Sequence, residues 1–162
     1  MIRLITTTFG VGYMRPAPGT WGSLVALPLG WAVHAAVGLI GFLIACVVVF
    51  ALGWWATRQH TIGSDDHDPS EIVIDEVIGQ WIALLPIFVG AAHTGSDVLA
   101  LWPGWFYAFV GFRLFDIWKP GPIGWADRRG DALGVMLDDV IAGAFAALLV
   151  VVLAAISHGV LM

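Results

Sequence analysis

Residues 112–139 read FRLFDIWKPGPIGWADRRGDALGVMLDD, and this stretch decides the fold because it concentrates charge in a chain that has little of it. It holds four of the seven basic residues and five of the twelve acidic ones. A second acidic cluster, residues 65–76, holds six more carboxylates, so that only Asp97 lies outside the two. A charged side chain in an apolar chain costs free energy unless it is paired with an opposite charge or has a function. We therefore interpret the two clusters as two halves of one site.

The composition of the whole chain indicates an integral membrane protein. Of its 162 residues, 59% are hydrophobic and only 12% are charged, against about 25% charged in ordinary soluble domains. The length suits a single domain over residues 1–162. A net charge of −5 argues against a nucleic-acid partner, which requires a basic face. The chain has one cysteine, Cys46, which excludes an internal disulfide.

Apolar segments predict an all-α bundle of about five main helices. The run over 24–56 is long for one membrane span, which needs about 20 residues, and Gly38 offers a turn within it. In the third segment, Glu71 and Asp75 are four apart and are expected to share a helix face, while Glu76 reaches the same place near the helix start. The predicted segments are 21–36, 39–58, 71–92, 98–118 and 138–157.

Alternate threading of these five segments gives a consistent topology. The loops 8–20, 59–70 and 119–137 then fall on one side, where all seven Lys and Arg residues lie, and the turns on the opposite side carry none. The positive-inside rule places the charged side in the cytoplasm. The same threading brings the two acidic clusters together, although charge chemistry was not used to derive it.

The loop before the first long segment, TFGVGYMRPAPGTWGS over residues 8–23, is rich in glycine and proline. Thr20 and Ser23 can cap the helix that follows. With Arg15 and the amides of the helix start they can also help to seat a phosphate. The loop is not a Walker A motif, because no Gly-Lys-Ser/Thr follows it.

Carboxylates in such density require a cation or shared protons, because adjacent negative charges repel each other. Oxygen ligands suit a hard cation, Mg²⁺ before Zn²⁺. Arg113, Lys119 and Arg128 can bind a dianionic phosphate. Mg²⁺, basic side chains and a carboxylate base at a bilayer surface together predict phosphoryl-transfer chemistry.

Four ordered motifs resemble those of the phosphatidylglycerophosphatase A family. They are PGTWGSL (18–24), DPSEIVIDEVIGQW (68–81), FRLFDIWKPGPIGWADR (112–128) and LGVMLDDVIAG (133–143). The resemblance implies Mg²⁺-dependent hydrolysis of phosphatidylglycerol phosphate to phosphatidylglycerol and phosphate. It also implies a bacterial inner-membrane location and an all-helical fold in which a central helix is surrounded by others.

The resemblance also implies the site. The acidic pairs of the family fall on Asp75 and Glu76 and on Asp138 and Asp139, the expected metal ligands, with Asp116 as a further ligand or general base. The expected phosphate-binding residues are Arg113, Lys119, Arg128, Thr20 and Ser23. Two positions depart from the family pattern: Glu71 is not shared by all members, and Asp131 stands where glycine is usual.

Three other interpretations account for some of the same residues. An ion or proton transporter would use the acidic clusters as a pathway, but needs ionisable groups at mid-bilayer. Another phospholipid-headgroup phosphotransferase, of the CDP-alcohol type, would show a DGxxAR pattern that this chain lacks. A purely solvated cytoplasmic face tends to be rich in Lys and Glu, and this chain has one Lys and two Glu. The sequence leaves the oligomeric state open.

Overall fold

The structure is a computed structural model that describes residues 1–64, 66 and 68–161. Asp65, one member of the second acidic cluster, lies outside the described residues. The prediction of an all-α fold is confirmed, since the described residues form helices and turns without a strand. The helices are α1 (Ile2–Thr6), α2 (Pro18–His60), α3 (Ile74–Thr94), α4 (Trp102–Trp118), α5 (Pro122–Asp127) and α6 (Ala132–Leu161).

Helix α2 is a hairpin that turns at Gly38. This residue has φ 69° and ψ −175°, a conformation that is essentially restricted to glycine. A Cβ added at Gly22 would lie 3.0 Å from Val73 Cβ, and one at Gly53 would lie 3.3 Å from Ile74 Cγ1. In a straight helix these two glycines would be about 46 Å apart. The arms 18–37 and 39–60 therefore run back along each other, as the sequence predicted, and each is about 30 Å long.

Helix α3 is the central helix of the bundle. Four helical elements are long and apolar enough to cross a membrane: Pro18–His60, Ile74–Thr94, Val98–Trp118 and Ala132–Ser157. In α3, 56% of the residues in the apolar window are buried, against 11–22% in the other three elements. With α2 counted as two arms, the structure has the five main helices that the sequence predicted, arranged around α3.

Helices α3 and α6 touch through their backbones. A Cβ added at Gly143 would lie 2.2 Å from the carbonyl oxygen of Gly79, and one at Gly79 would lie 2.7 Å from the carbonyl oxygen of Asp139. Small residues allow this approach, which brings dispersion contacts between membrane helices. On the other face of α3, the indole of Trp81 donates a 2.9 Å hydrogen bond to the carbonyl of Ala26 in α2.

The charged loops gather at one end of the bundle, which we call the charged end: the end where α2 begins and ends, α3 begins, α4 ends and α6 begins. Thr6 joins two of these termini, since its Oγ1 lies 2.8 Å from His60 Nδ1 and its carbonyl accepts a 2.8 Å hydrogen bond from Val73 N. At the opposite end, the ring of His34 stacks on Phe88 at 4.2 Å near the Gly38 turn.

Three predicted helix starts are wrong. Helix α3 begins at Ile74, so Glu71 lies in the preceding turn and shares no helix face with Asp75. The reason is that Val73 N bonds to Thr6 and Ile72 N to Pro69, which ties this stretch to α1 and to a turn. Helix α6 begins at Ala132, before the predicted residue 138.

Helix α2 also begins earlier than predicted, at Pro18, because proline at the first helical position already has a helical φ. Thr20 and Ser23 therefore lie inside the helix and do not cap it. The hydroxyl of Ser23 donates to the carbonyl of Gly19 at 2.8 Å, one turn back along α2.

Candidate active site

A cavity of about 250 Å³ opens at the charged end of the bundle. It is formed by the start of α2, the turn before α3, the start of α3, the end of α4 and the start of α6. Residues from both acidic clusters line it, so the structure brings the two clusters into one place. The lining residues are Ala17, Pro18, Gly19, Asp68, Ser70, Ile72, Asp75, Glu76, Arg113, Asp116, Lys119, Asp138 and Asp139.

Carboxylates from three helices converge in this cavity. Asp75, Glu76 and Asp139 each offer one oxygen, and these oxygens lie within 4.8 Å of one another. Asp116 and Asp138 form a second such group with the same Asp139. Asp75, Asp138 and Asp139 are each no more than 7% exposed, so the charges are largely withdrawn from water.

The glycine contact described above sets the distance between these carboxylates. Gly79 follows Asp75 by four residues in α3, and Gly143 follows Asp139 by four in α6. Residues four apart lie on the same face of a helix, one turn along. Because the backbones touch at Gly79 and Gly143, the carboxylates one turn nearer the charged end are brought close together.

The acidic group has the chemistry of a site for a hard cation. Glu76 Oε2 and Asp139 Oδ2 are buried and have no hydrogen-bond partner within the described part of the chain. A buried carboxylate oxygen without a partner is costly, and like charges on its neighbours add to the cost. Oxygen ligands of this kind can hold Mg²⁺. The residues present therefore fit the cation that the sequence predicted.

The two cations of the cavity, Arg113 and Lys119, form ion pairs, and we call these pairs the basic side of the cavity. Arg113 Nη1 lies 2.6 Å from Asp116 Oδ2 and 3.9 Å from Glu76 Oε1. It also donates to Ser23 Oγ at 3.4 Å. Partners from α2, α3 and α4 thus orient the guanidinium through Nη1, while Nε is buried without a partner among the described residues.

Lys119 is positioned by the end of α4. It has φ 48°, a left-handed conformation that ends the helix, and its ammonium contacts Asp127 and, at 2.7 Å, Asp138. Burial lowers the pKa of Lys119, but the hydrogen bonds from its ammonium to these two carboxylates outweigh that effect, so the pKa is raised above its ordinary value. Lys119 therefore carries its positive charge throughout the physiological pH range.

Three predicted phosphate-binding residues, Thr20, Ser23 and Arg128, do not line the cavity. Ser23 is fully buried and contacts two lining residues, because its hydroxyl donates to the carbonyl of Gly19 and accepts from Arg113. Arg128 is exposed on the turn after α5. Their proposed contact with phosphate stays a prediction.

The sequence reasoning did not assign a role to Gly19 or Gln80. A Cβ added at Gly19 would lie 2.1 Å from Glu76 Oε1 and 3.1 Å from Arg113 Nη1, so the backbone of α2 contacts both functional side chains. Gln80 is fully buried, and neither atom of its amide has a partner among the described residues. It follows Glu76 by four residues on α3. The sequence feature that could have identified Gln80 is the presence of a single glutamine in an apolar helix.

Comparison with known proteins gives a consistent result over nearly the whole chain. The family model "Phosphatidylglycerophosphatase A" matches residues 4–154. The chain is 37% identical over 150 residues to a phosphatidylglycerophosphatase A of Haemophilus influenzae, with 92% of this chain and 86% of the relative covered. It is 35% identical over 152 residues to the phosphatidylglycerophosphatase A of Escherichia coli, with 89% and 78% covered.

A third relative carries a different name. The chain is 34% identical over 158 residues to a Bacteroides thetaiotaomicron protein with the provisional name phosphatidylinositol-3-phosphatase, and 92% of this chain and 91% of that protein are covered. No solved structure matches the chain.

Proposed function

The chain belongs to the phosphatidylglycerophosphatase A family, and from this premise we propose that it hydrolyses phosphatidylglycerol phosphate to phosphatidylglycerol and phosphate, with Mg²⁺, at the cytoplasmic surface of a bacterial inner membrane. The observation that supports the proposal most is the meeting of five acidic side chains with Arg113 and Lys119 in one cavity at the end of a membrane bundle. Such a cavity offers both signs of charge to a phosphate carried by a lipid headgroup.

Phosphate binding falls to the basic side of the cavity. Arg113 presents a guanidinium that is already fixed by Asp116 and Ser23, so little freedom is lost when it binds an anion. Lys119 adds a compact positive charge next to Asp138. We propose that both exchange part of their contact with carboxylates for contact with the phosphate oxygens. Thr20, Ser23 and Arg128 remain secondary candidates for this role.

The acidic side would hold the cation through Asp75, Glu76, Asp138 and Asp139. Bound Mg²⁺ would offset the charge of the phosphate and lower the pKa of a coordinated water. A carboxylate, with Asp116 as the candidate, would take the proton from the attacking water. The water oxygen then bonds to phosphorus, the bond from phosphorus to the glycerol oxygen breaks, and the glycerol oxygen takes up a proton.

The decisive experiment is phosphate release from phosphatidylglycerol phosphate in detergent micelles, with Mg²⁺ and again with EDTA. We expect release that stops on chelation and returns when Mg²⁺ is added. Release that continues in EDTA would overturn the role of the cation but keep the reaction class. The absence of release in both conditions would overturn the proposed substrate.

The name of the third relative supports a second candidate substrate, a phosphorylated phosphatidylinositol. The chemistry is the same, because both lipids carry a phosphate monoester on the headgroup. The same assay with phosphatidylinositol 3-phosphate distinguishes the two. We expect faster release from phosphatidylglycerol phosphate, since the matching family model and two of the three relatives are named for that activity.

The transporter interpretation is less well supported by the structure. Within the described part of the chain, the Asp, Glu, Lys and Arg residues of the spanning elements lie at the charged end. A conducting pathway requires ionisable groups deeper in the bilayer. A flux assay in proteoliposomes tests this alternative, and measurable ion movement would favour it over the lipid phosphatase.

A further inference from the structure

The first fourteen residues have an inverted pattern of burial. The threonines in this segment are buried: Thr6, Thr7 and Thr8 are 0%, 1% and 5% exposed. Five of its large apolar side chains point outward instead, while Ile2, Ile5 and Val11 are half-buried. The outward-facing residues, with their exposed fractions, are Met1 (89%), Leu4 (54%), Phe9 (84%), Tyr13 (55%) and Met14 (41%). In water this arrangement would be unfavourable, because it exposes apolar surface and buries hydroxyl groups.

The inverted segment is firmly attached to the bundle. Thr6 bonds to His60 at the end of α2 and to Val73 before α3. Thr7 Oγ1 donates to the carbonyl of Arg3 at 2.6 Å, so a buried hydroxyl has a partner. A Cβ added at Gly12 would lie 1.9 Å from the carbonyl oxygen of Glu71, which shows how closely the segment packs. Its outer face is therefore a defined surface of the molecule.

Backbone conformation directs Phe9 outward. Thr8, Phe9 and Gly10 have φ of 46°, 58° and 96°, and a left-handed conformation is unfavourable for Thr and Phe because Cβ crowds the next carbonyl. Strain of this kind persists only where the surrounding structure holds it. Here the result is an aromatic ring at the tip of a tight turn, 84% exposed.

The surroundings of this surface indicate what covers it. The segment lies at the charged end, where spanning helices leave the bilayer, and exposed tryptophans occupy the same level of the bundle: Trp21, Trp54, Trp55, Trp118 and Trp125. Tryptophan is enriched at the boundary between lipid and water. Arg3 in the segment and Arg15 directly after it are exposed and suit the anionic headgroups of that boundary.

We propose that residues 1–14 form an interfacial anchor that lies in the membrane surface, with Leu4, Phe9 and Tyr13 inserted among the lipid headgroups and upper acyl chains. The partner is the bilayer itself. Because the anchor also bonds to Val73, it fixes the segment that leads directly into Asp75 and Glu76.

Spin labelling tests the proposal without any measurement of activity. In a Cys46→Ala background, single cysteines at positions 4 and 9 are labelled and the full chain is reconstituted in vesicles of phosphatidylethanolamine and phosphatidylglycerol. Collision rates of each label with oxygen, which concentrates in lipid, and with a water-soluble nickel complex are then compared. Val47→Cys, 69% exposed on the second arm of α2, is the standard for lipid. Ser64→Cys, in the exposed polar loop at the same end, is the standard for water.

We expect the ratio of oxygen to nickel accessibility at positions 4 and 9 to resemble the ratio at position 47 and to exceed that at position 64. Ratios equal to that at position 64 would show a segment in water and overturn the proposal. Low accessibility to both reagents would show that protein, such as a second copy of the chain, covers this face, and would also overturn it. The proposed phosphatase activity is tested separately, since none of these accessibility measurements depends on it.

Discussion

The two sides of the cavity differ in how their charges are balanced. On the basic side, Lys119 contacts two carboxylates, Asp127 and Asp138, and its charge is neutralised within the protein. On the acidic side, Asp139 contributes to both carboxylate groups, and its Oδ2 is buried without a partner in the part of the chain that the structure describes. Glu76 has one oxygen 3.9 Å from Arg113, and its other oxygen is likewise buried with no partner among the described residues.

This difference shows which buried charges are balanced within the protein and which require a bound ion. A buried, paired charge is tolerated, whereas a buried charge without a partner is strongly destabilising. The ion pairs of Lys119 can therefore keep their structure with or without a ligand. The acidic side is arranged for a cation, and its stability as well as its chemistry should depend on one.

The largest effect is expected from the replacement of Asp139 by Asn, which removes a charge shared by both acidic groups. We expect phosphate release to fall by about a thousandfold, the range seen when an electrostatic group that acts in a transition state is removed. Asp127→Asn on the basic side should cost far less, because Asp138 still holds Lys119. Asp97→Asn, exposed at the opposite end, is the control. Equal losses for Asp139→Asn and Asp127→Asn would contradict the distinction between the two sides.

The next effect tests whether the helix contact sets the carboxylate distances. Gly143→Ala places a methyl group 2.2 Å from the carbonyl oxygen of Gly79, so α3 and α6 must separate. A displacement of about 1 Å in a catalytic group can lower the rate about a hundredfold, and we expect a loss of that size. Gly90→Ala in α3 is the matched control, because nothing lies within 4 Å of its added Cβ. Steady-state phosphate release measures both variants, and full activity of Gly143→Ala would be the contrary result.

A smaller effect is expected on thermal stability, and it tests whether the acidic side requires a cation. Mg²⁺ at a hundred times its dissociation constant should stabilise the wild type by about 2.7 kcal/mol, which raises the midpoint of thermal unfolding by several degrees in a chain of this length. Asp139→Asn should lose this response and unfold at a higher temperature than the wild type in EDTA, because one buried charge has been removed. Thermal unfolding in detergent with and without Mg²⁺ measures both. An equal Mg²⁺ response in the two proteins would place the cation elsewhere.

The smallest effect is expected at Arg128. This residue is exposed and does not line the cavity, so Arg128→Ala should change the KM for lipid substrate by no more than about twofold, since an exposed charge is screened by solvent. Arg113→Ala, inside the cavity, should raise KM and lower kcat together. A loss for Arg128→Ala as large as that for Arg113→Ala would show that the turn after α5 closes over the substrate.

The sequence predicted the parts of this molecule that depend on periodicity and on the counting of charges. The hairpin at Gly38, the five main helices and the gathering of charged loops at one end follow from apolar segment lengths and from the parity of the threading. Acidic pairs separated by 62 residues, Asp75–Glu76 and Asp138–Asp139, were expected to meet for the same reason.

The remaining features depend on contacts between elements that are distant in the sequence. Glu71 was predicted on a helix, four residues before Asp75. The hydrogen bond from Val73 N to the carbonyl of Thr6 holds this stretch outside α3, so Glu71 lies in the turn before the helix. The role of Gly19 depends on the distance of its backbone from Glu76, which no local pattern reports. The contact of Gly79 with Gly143 is likewise set by the packing of two helices.

The Gly38 hairpin also bears on the biogenesis of the protein. Between Arg15 and Arg58 the chain has no Asp, Glu, Lys or Arg, so the two arms of α2 can enter the bilayer together and carry no formal charge across its centre. The turn at Gly38, which would enter the bilayer first, is short and apolar. Insertion of this pair leaves both of its ends on the side from which it entered, and so fixes the orientation that α3, α4 and α6 then adopt. The conformation of a single glycine thus keeps both ends of α2, and the cavity beside them, at the same end of the bundle.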